Sequence, residues 1–580
     1  GGFFGLPIMA IPAVELTLSG VTVDGPNTVV YLLSSQDMVV EGADVTADVI
    51  FLASVAGSVS VGGSSLLAGS GVNLLAESGL SVTASTVRAA NGDVEILGAV
   101  LALAVGTGLD TGGPVTIAES SIEALDADLA DANDVGQLLV RTQFAPIVLR
   151  DNVLIRSHLD TVILNEASFI GEGNVTLTGN AAVRVGVSQA DDPVNYRPSA
   201  FEALTGVANV PTTLTLVDNA IDATGAVITI AGGGEPGNLV ASGNDLSAGD
   251  GFGTGGVIMI SGSPGTLTLA SNAIASDDQI VVIAPDLDGG SAEWDGNTMA
   301  AIGDASPSVL LMALDGSCAF RDNDVTADDV GADDASTVVV QCVGIDPNDD
   351  TFDMTGNAFA AAGNGGSIVM LQLAGGTLNV AGNALGAEVQ LFMQFANAAG
   401  TIADNAVALG PSAVGWLLEG DAGTDLALAD NAVGYVDVVG YGLLLRGIGN
   451  AELSGNQVSS TGTPAPGTLA LGVVTTGGGT PVAITASGNT FTNFDRALVF
   501  GDQAGAAIGI DATVSGNVFD FVIDAVPEVA DLFNVADEID ARNNQWGTNT
   551  VLATVASYVK LSGDTIVQGG SILLDPITLP

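Results

Sequence analysis

LTLVDNAI at Leu214–Ile221, LTLASNAI at Leu267–Ile274 and LALADNAV at Leu426–Val433 are one phrase written three times. Apolar and polar residues alternate, a small or acidic residue follows, then Asn, and the alternation resumes. CAFRDNDV at Cys318–Val325 and FDMTGNAF at Phe352–Phe359 repeat it. Fifteen copies are marked by Asn152, Asn180, Asn219, Asn244, Asn272, Asn297, Asn323, Asn357, Asn383, Asn405, Asn431, Asn456, Asn489, Asn517 and Asn544, spaced 22 to 39 residues apart. The residues three before and two after each Asn are apolar in every copy. Alternation of period two means β-strands with every second side chain turned inward.

Upstream the phrase continues with a small residue in place of Asn: LTLSGVTV at Leu16–Val23, MVVEGADV at Met38–Val45, VSVGGSSL at Val59–Leu66, LSVTASTV at Leu80–Val87 and VTIAESSI at Val115–Ile122. A propeller blade needs about 40 residues, and the L-x-x-L-x-L spacing of leucine-rich repeats is absent. The pattern therefore predicts an all-β chain, a single parallel β-helix solenoid of about twenty coils. Asn suits a sharp corner because it tolerates the left-handed region. Stacked amides about 4.8 Å apart can also hydrogen-bond as a ladder. Twenty coils at that spacing make a rod roughly 95 Å long. One helix is expected, in PEVADLFNVADEID at Pro527–Asp540.

Composition narrows the function. The chain has 580 residues, 66 acidic and 11 basic side chains, and a net charge of −55, yet 47% of it is hydrophobic. Such hydrophobicity excludes disorder, and so few cations exclude nucleic-acid binding. No apolar run approaches the roughly 18–20 residues of a membrane span. The acidity suits salty or calcium-bearing surroundings.

NNQWGTN at Asn543–Asn549, followed by an apolar stretch and IVQGGSILLDPITLP at Ile566–Pro580, resembles the closing segment of secreted bacterial right-handed parallel β-helix proteins of the pectin-lyase-like superfamily. Many of these end in NNWWG and a G-x-[I/V]-x-x-x-P-x-L tail; here Gln545 replaces the first Trp. The resemblance implies a right-handed helix and an extracellular or cell-surface location. It does not imply an enzyme. The expected organisation is an apolar N-terminal segment (1–13), coils without Asn (14–140), Asn-ladder coils (141–548) and a closing cap (549–580).

Candidate chemistry is sparse. Hydrolases of that fold use a Gly-His-Gly and an Arg-Ile-Lys phrase, and this chain has neither; its single His is His158 and its single Lys is Lys560. Arg141, Arg150, Arg156, Arg184 and Arg197 gather near His158 and Tyr196, beside the longest insertion. This is the candidate ligand patch of a lyase or of a glycan binder, set against the simpler reading that these cations relieve repulsion on an acidic surface. Asp346, Asn348 and Asp350 alternate like the start of a calcium loop, without its Gly and Glu. No cofactor is required, and calcium is the one metal these residues offer to hold. Cys318 sits at an inward position, free or bonded to Cys342, and Trp294, Phe320, Phe359 and Phe491 read as core.

The start, GGFFGLPIMAIPAVELTL, reads as a processed N-terminus. Phe3, Phe4, Leu6, Ile8 and Met9 are too apolar to stay in water. They either cover the first coil or add a strand to a neighbouring subunit. The leading expectation is a non-enzymatic structural rod that polymerises head to tail as a homo-polymer. A monomeric adhesin for surface glycans and a polysaccharide lyase or hydrolase are the alternatives.

Overall fold

The computed structural model describes residues 8–10, 15–98, 114–125 and, with short breaks, 138–186, 213–302 and 308–547, together with 559–561 and 571–574. The chain divides into two compact units, residues 1–290 with Asn297–Met299, and Ser291–Gly296 with Ala300–Pro580. Each is a parallel β-helix.

The coil that opens at Met38 shows the anatomy of the first unit. Strand Met38–Glu41 leads to a corner at Gly42 (φ 58°), then to buried Ala43 and the long strand Asp44–Ser54. Each strand pairs in parallel with its counterparts one coil away: Met38 stands between Leu16 and Val59, and Val45 between Val23 and Leu66. Inward residues such as Met38, Val59, Val72 and Leu74 are completely buried. The second unit repeats the plan: strand Thr377–Ala381, corner Gly382, Asn383, short strand Ala384–Ala387, then a third strand, Gln390–Ala396.

The Asn column is a polarised ladder. Asn405 donates from its backbone N–H (3.1 Å) and its Nδ2 (2.9 Å) to Oδ1 of Asn431, and Nδ2 also donates back to the carbonyl of Val380 (2.9 Å). The same pattern links Asn219, Asn244, Asn272 and Asn297 in the first unit. In the second it links Asn357, Asn383, Asn405, Asn431, Asn456, Asn489, Asn517 and Asn544. Every member is buried, and each Oδ1 from Asn244 to Asn297 and from Asn357 to Asn544 accepts from the Asn of the coil before, which makes a polar column tolerable inside an apolar core. At its far end the Nδ2 of Asn544 turns to the carbonyls of Val514 and Ala541 (2.6 and 2.8 Å).

Upstream, hydroxyls do the same work. Ala43, Ser64 and Ser85 donate their N–H groups to Oγ of Ser64, Ser85 and Ser120 (3.1, 3.1 and 3.2 Å), and the N–H of Ser120 meets Oδ1 of Asn152 (3.1 Å). The coils marked by Ser64, Ser85 and Ser120 thus carry the same column with serine as its acceptor, whereas Val21 and Ala43 have no side-chain oxygen to offer.

One expectation is corrected here. The left-handed backbone belongs to the residue before the marker rather than to the Asn. Asp218, Gly243, Ser271, Gly296, Asp322, Gly356, Gly382, Asp404 and Asp430 all have φ between 52° and 69°. The two properties of a corner are therefore divided between neighbours: Gly or a short polar residue takes the strained backbone, and Asn supplies the buried amide.

The expected helix at 527–540 is also overturned. Glu528–Phe533 and Glu538–Asp540 are strands, the first pairing in parallel with Arg496–Asp502. Local helix propensity is worth only tenths of a kcal/mol per residue. The hydrogen-bonding edge of the preceding coil outweighs it.

The core assignments hold: Trp294, Phe320, Phe359 and Phe491 are at most 1% exposed. Trp294 stacks on Phe320 (4.3 Å between centroids), and Phe491, Phe519 and Trp546 form a second stack (5.2 and 4.9 Å). Cys318 and Cys342 form a disulfide across the core of one coil, which decides between the two readings of these thiols.

Candidate functional site

The first coil of the first unit differs from those that follow. Leu16, Leu18, Val21 and Val23 occupy inward positions but are only half-buried, whereas their counterparts one coil later, Met38, Val40, Ala43 and Val45, are at most 5% exposed. Between them lies an apolar cavity of about 90 Å³ lined by Leu18, Val21, Val23, Val30, Leu32 and Val40, among others. Ile8 and Met9 lie in the strand Ile8–Ala10, which pairs in parallel with Val29–Ser34, Ile8 beside Val30 and Met9 beside Tyr31. In that same row the rings of Tyr31 and Phe51 stack at 4.5 Å. Phe3, Phe4 and Leu6 lie outside the described residues.

The arginines of the candidate ligand patch fall on three different rows of strands. Arg150 ends strand Ile147–Arg150 and is exposed. Arg156, on the strand that follows the marker Asn152, is in register with Glu123. Arg141 and Arg184 belong to the third strand of their coils, in register with Leu164 and with Val162 and Thr229 respectively. His158, Tyr196 and Arg197 lie outside the described residues.

Elsewhere, cations face acids one coil away: Arg88 lies 3.8 Å from Glu123, Arg321 lies 3.1 Å from Asp353 and Arg446 lies 3.6 Å from Glu419. These pairs are partly exposed, so each is worth at most about 1 kcal/mol. Of the calcium candidates, Asp346 and Asn348 lie outside the described residues. Asp350 is half-buried just before strand Thr351–Thr355, its carbonyl accepting from the N–H of Thr377 (2.9 Å). Among the described residues no three His, Cys, Asp or Glu side chains converge as a metal site, and no helix is long and apolar enough to cross a membrane.

A further feature escaped the sequence reading. In the second unit the outward side of the third strands carries Leu310, Val339, Phe392, Leu417 and Leu444, beside a row of glutamines. Gln341 donates to Gln372, and Gln372 to Gln394 (2.9 Å). Next to them Gln390 donates to the hydroxyl of Tyr441 (2.7 Å), whose pKa is pushed up to about 12, chiefly by burial. The signal lay in the strands themselves. VLLMAL, TVVVQCV, QLFMQFA and GWLLE are apolar at both alternate positions, as strands covered on both faces are.

Compared with protein-family models, with curated proteins and with solved structures, the chain matches none of them.

Proposed function

We propose that this chain is an extracellular structural protein, a β-helical subunit that assembles head to tail into a surface filament or layer. The observation that carries this reading is the first coil, with its half-buried inward leucines and valines around an apolar cavity. An open coil end also presents unpaired strand edges, and an end-to-end contact between unlike ends continues indefinitely unless it is blocked. The disulfide supports an oxidising compartment. The resemblance of NNQWGTN to the closing segment of pectin-lyase-like β-helix proteins supports a secreted setting.

Negative-stain electron microscopy with and without millimolar calcium tests the proposal. Wild-type protein is expected to form filaments or sheets, and both deletion of residues 1–13 and Leu18→Glu to abolish them. Isolated particles of wild-type protein at every concentration, or filaments that persist in both variants, would remove end-to-end assembly.

A further inference from the structure

From Val309 to Thr475 the third strands of the second unit are Val309–Leu314, Thr337–Val343, Ile368–Ala374, Gln390–Ala396, Gly415–Glu419, Tyr441–Arg446 and Leu469–Thr475, joined in parallel register. Their inward row, from Leu311 through Val340, Leu371, Met393 and Leu418 to Leu445, is at most 3% exposed. The outward row is apolar as well. Leu310, Phe392 and Leu444 are half-buried, and Val339 and Leu417 are each 8% exposed. The apolar surface that Leu310, Phe392 and Leu444 still expose gains nothing from water, so the face favours a cover.

Its charge says what kind of cover. The chain averages about one uncompensated negative charge per ten residues. These seven strands hold one acidic and one basic side chain, Glu419 and Arg446, which neutralise each other at 3.6 Å. Acids of the same coils lie on the other strands, where Glu293, Asp295, Asp353, Asp425 and Glu452 precede the corners and Asp324 and Asp328 follow one, and at the ends of the face, where Asp315 and Asp421 follow third strands. A basic partner would be drawn to those strands and not to this neutral one. Among the strands of these coils, a second copy of so acidic a chain meets the least repulsion here. The face is also self-complementary, because the Gln341–Gln372–Gln394 row offers both amide donors and acceptors.

We propose that this face is a side-by-side interface between two copies of the chain. Seven strands about 4.8 Å apart and some six residues wide give roughly 600 Å² per copy. A two-fold pair then buries about 1,200 Å², the lower bound for a specific interface. Such a contact is weak, and because both copies carry the same net charge it strengthens as salt screens their repulsion. It is independent of the end-to-end contact.

Sedimentation velocity of the full chain tests it. Variants Gln394→Glu and Leu444→Glu place a like charge on both sides of the contact; the first changes an exposed side chain that can still accept from Gln372 but stands beside Glu419, so thermal unfolding of the variant checks that the fold is kept. Wild-type protein is expected to show a monomer–dimer equilibrium that shifts toward dimer between about 0.1 and 1 M salt. Gln394→Glu should weaken it at least about tenfold, and Leu444→Glu should abolish it, with unchanged circular dichroism. A wild-type chain that stays monomeric in high salt overturns the proposal, as does a dimer that both variants leave intact. The truncation lacking residues 1–13 should keep the side-by-side dimer, and Gln394→Glu should keep any filaments, so the two contacts fail separately.

Discussion

At the scale of single residues, the ladder and its corner column make different demands. Replacing Asn431 by Ala would strand the backbone N–H of Asn405, take from its Nδ2 one of two acceptors, leaving the bond to Val380, and remove the Nδ2 donor that the carbonyl of Ile402 accepts from. At about 1–3 kcal/mol per buried unpaired group, denaturant unfolding should show a loss of several kcal/mol. Asn431→Ser should cost less, because a serine hydroxyl already receives the N–H of the previous coil at Ser64, Ser85 and Ser120. The corner column carries coupling between neighbouring coils. Gly356 has φ 69°, and a Cβ there would collide with Oδ1 of Asp322 in the coil before. Gly356→Ala should destabilise through both backbone strain and collision, and Asp322→Gly should restore only the second part. A double-mutant cycle measures this, and strict additivity would show that the carboxylate moves aside.

Among the elements, Glu95 offers a pH test. It lies on strand Asp93–Gly98, half-buried, and burial, then the charge of Asp93, raises its pKa above the usual carboxylate value. A carboxyl whose folded pKa is raised holds its proton longer in the native state. Its penalty is absent below the unfolded value, grows as pH rises to the folded value and is complete above it. Glu95→Gln should therefore stabilise the protein at neutral pH and lose that advantage near pH 4, as read from thermal unfolding at both pH values. Elements also differ in how far they can be read from sequence. The strand–Asn–strand phrase was legible because period-two alternation and one buried amide recur at every turn. Glu528–Phe533 was not, since EVADLF becomes a strand only against Leu498 and Phe500 of the coil before it. The neutral outward face was equally hidden. LLMAL and VVVQC read as core, and only the register shows that alternate residues leave the interior. The arginines cluster in sequence, but successive strands of a coil face different directions, so their register separates Arg150, Arg156 and Arg184.

For the whole molecule the governing quantity is the charge of −55, which must be tolerated by a fold whose cations are few, with Arg88, Arg321 and Arg446 each committed to one acid. Repulsion among carboxylates spread along the coils opposes the compact state, and it weakens as the screening length falls from about 30 Å at 0.01 M salt to about 3 Å at 1 M. The unfolded chain spreads the same charges farther apart, so screening favours the native state. Thermal stability should rise steadily with sodium chloride. Calcium separates two origins of that effect. If the acids act only as a diffuse field, calcium and sodium chloride at matched ionic strength should raise the unfolding temperature by similar amounts, with no saturation at micromolar calcium. If Asp346, Asn348 and Asp350 hold an ion, stability should instead saturate at low calcium, growing with the logarithm of its concentration above the dissociation constant. Asp350→Asn should then remove the saturating part and leave the salt dependence in place. The diffuse field is the expected result, because the charge is distributed over the whole sequence, whereas the candidate loop lacks the Gly and Glu that complete a calcium-binding turn.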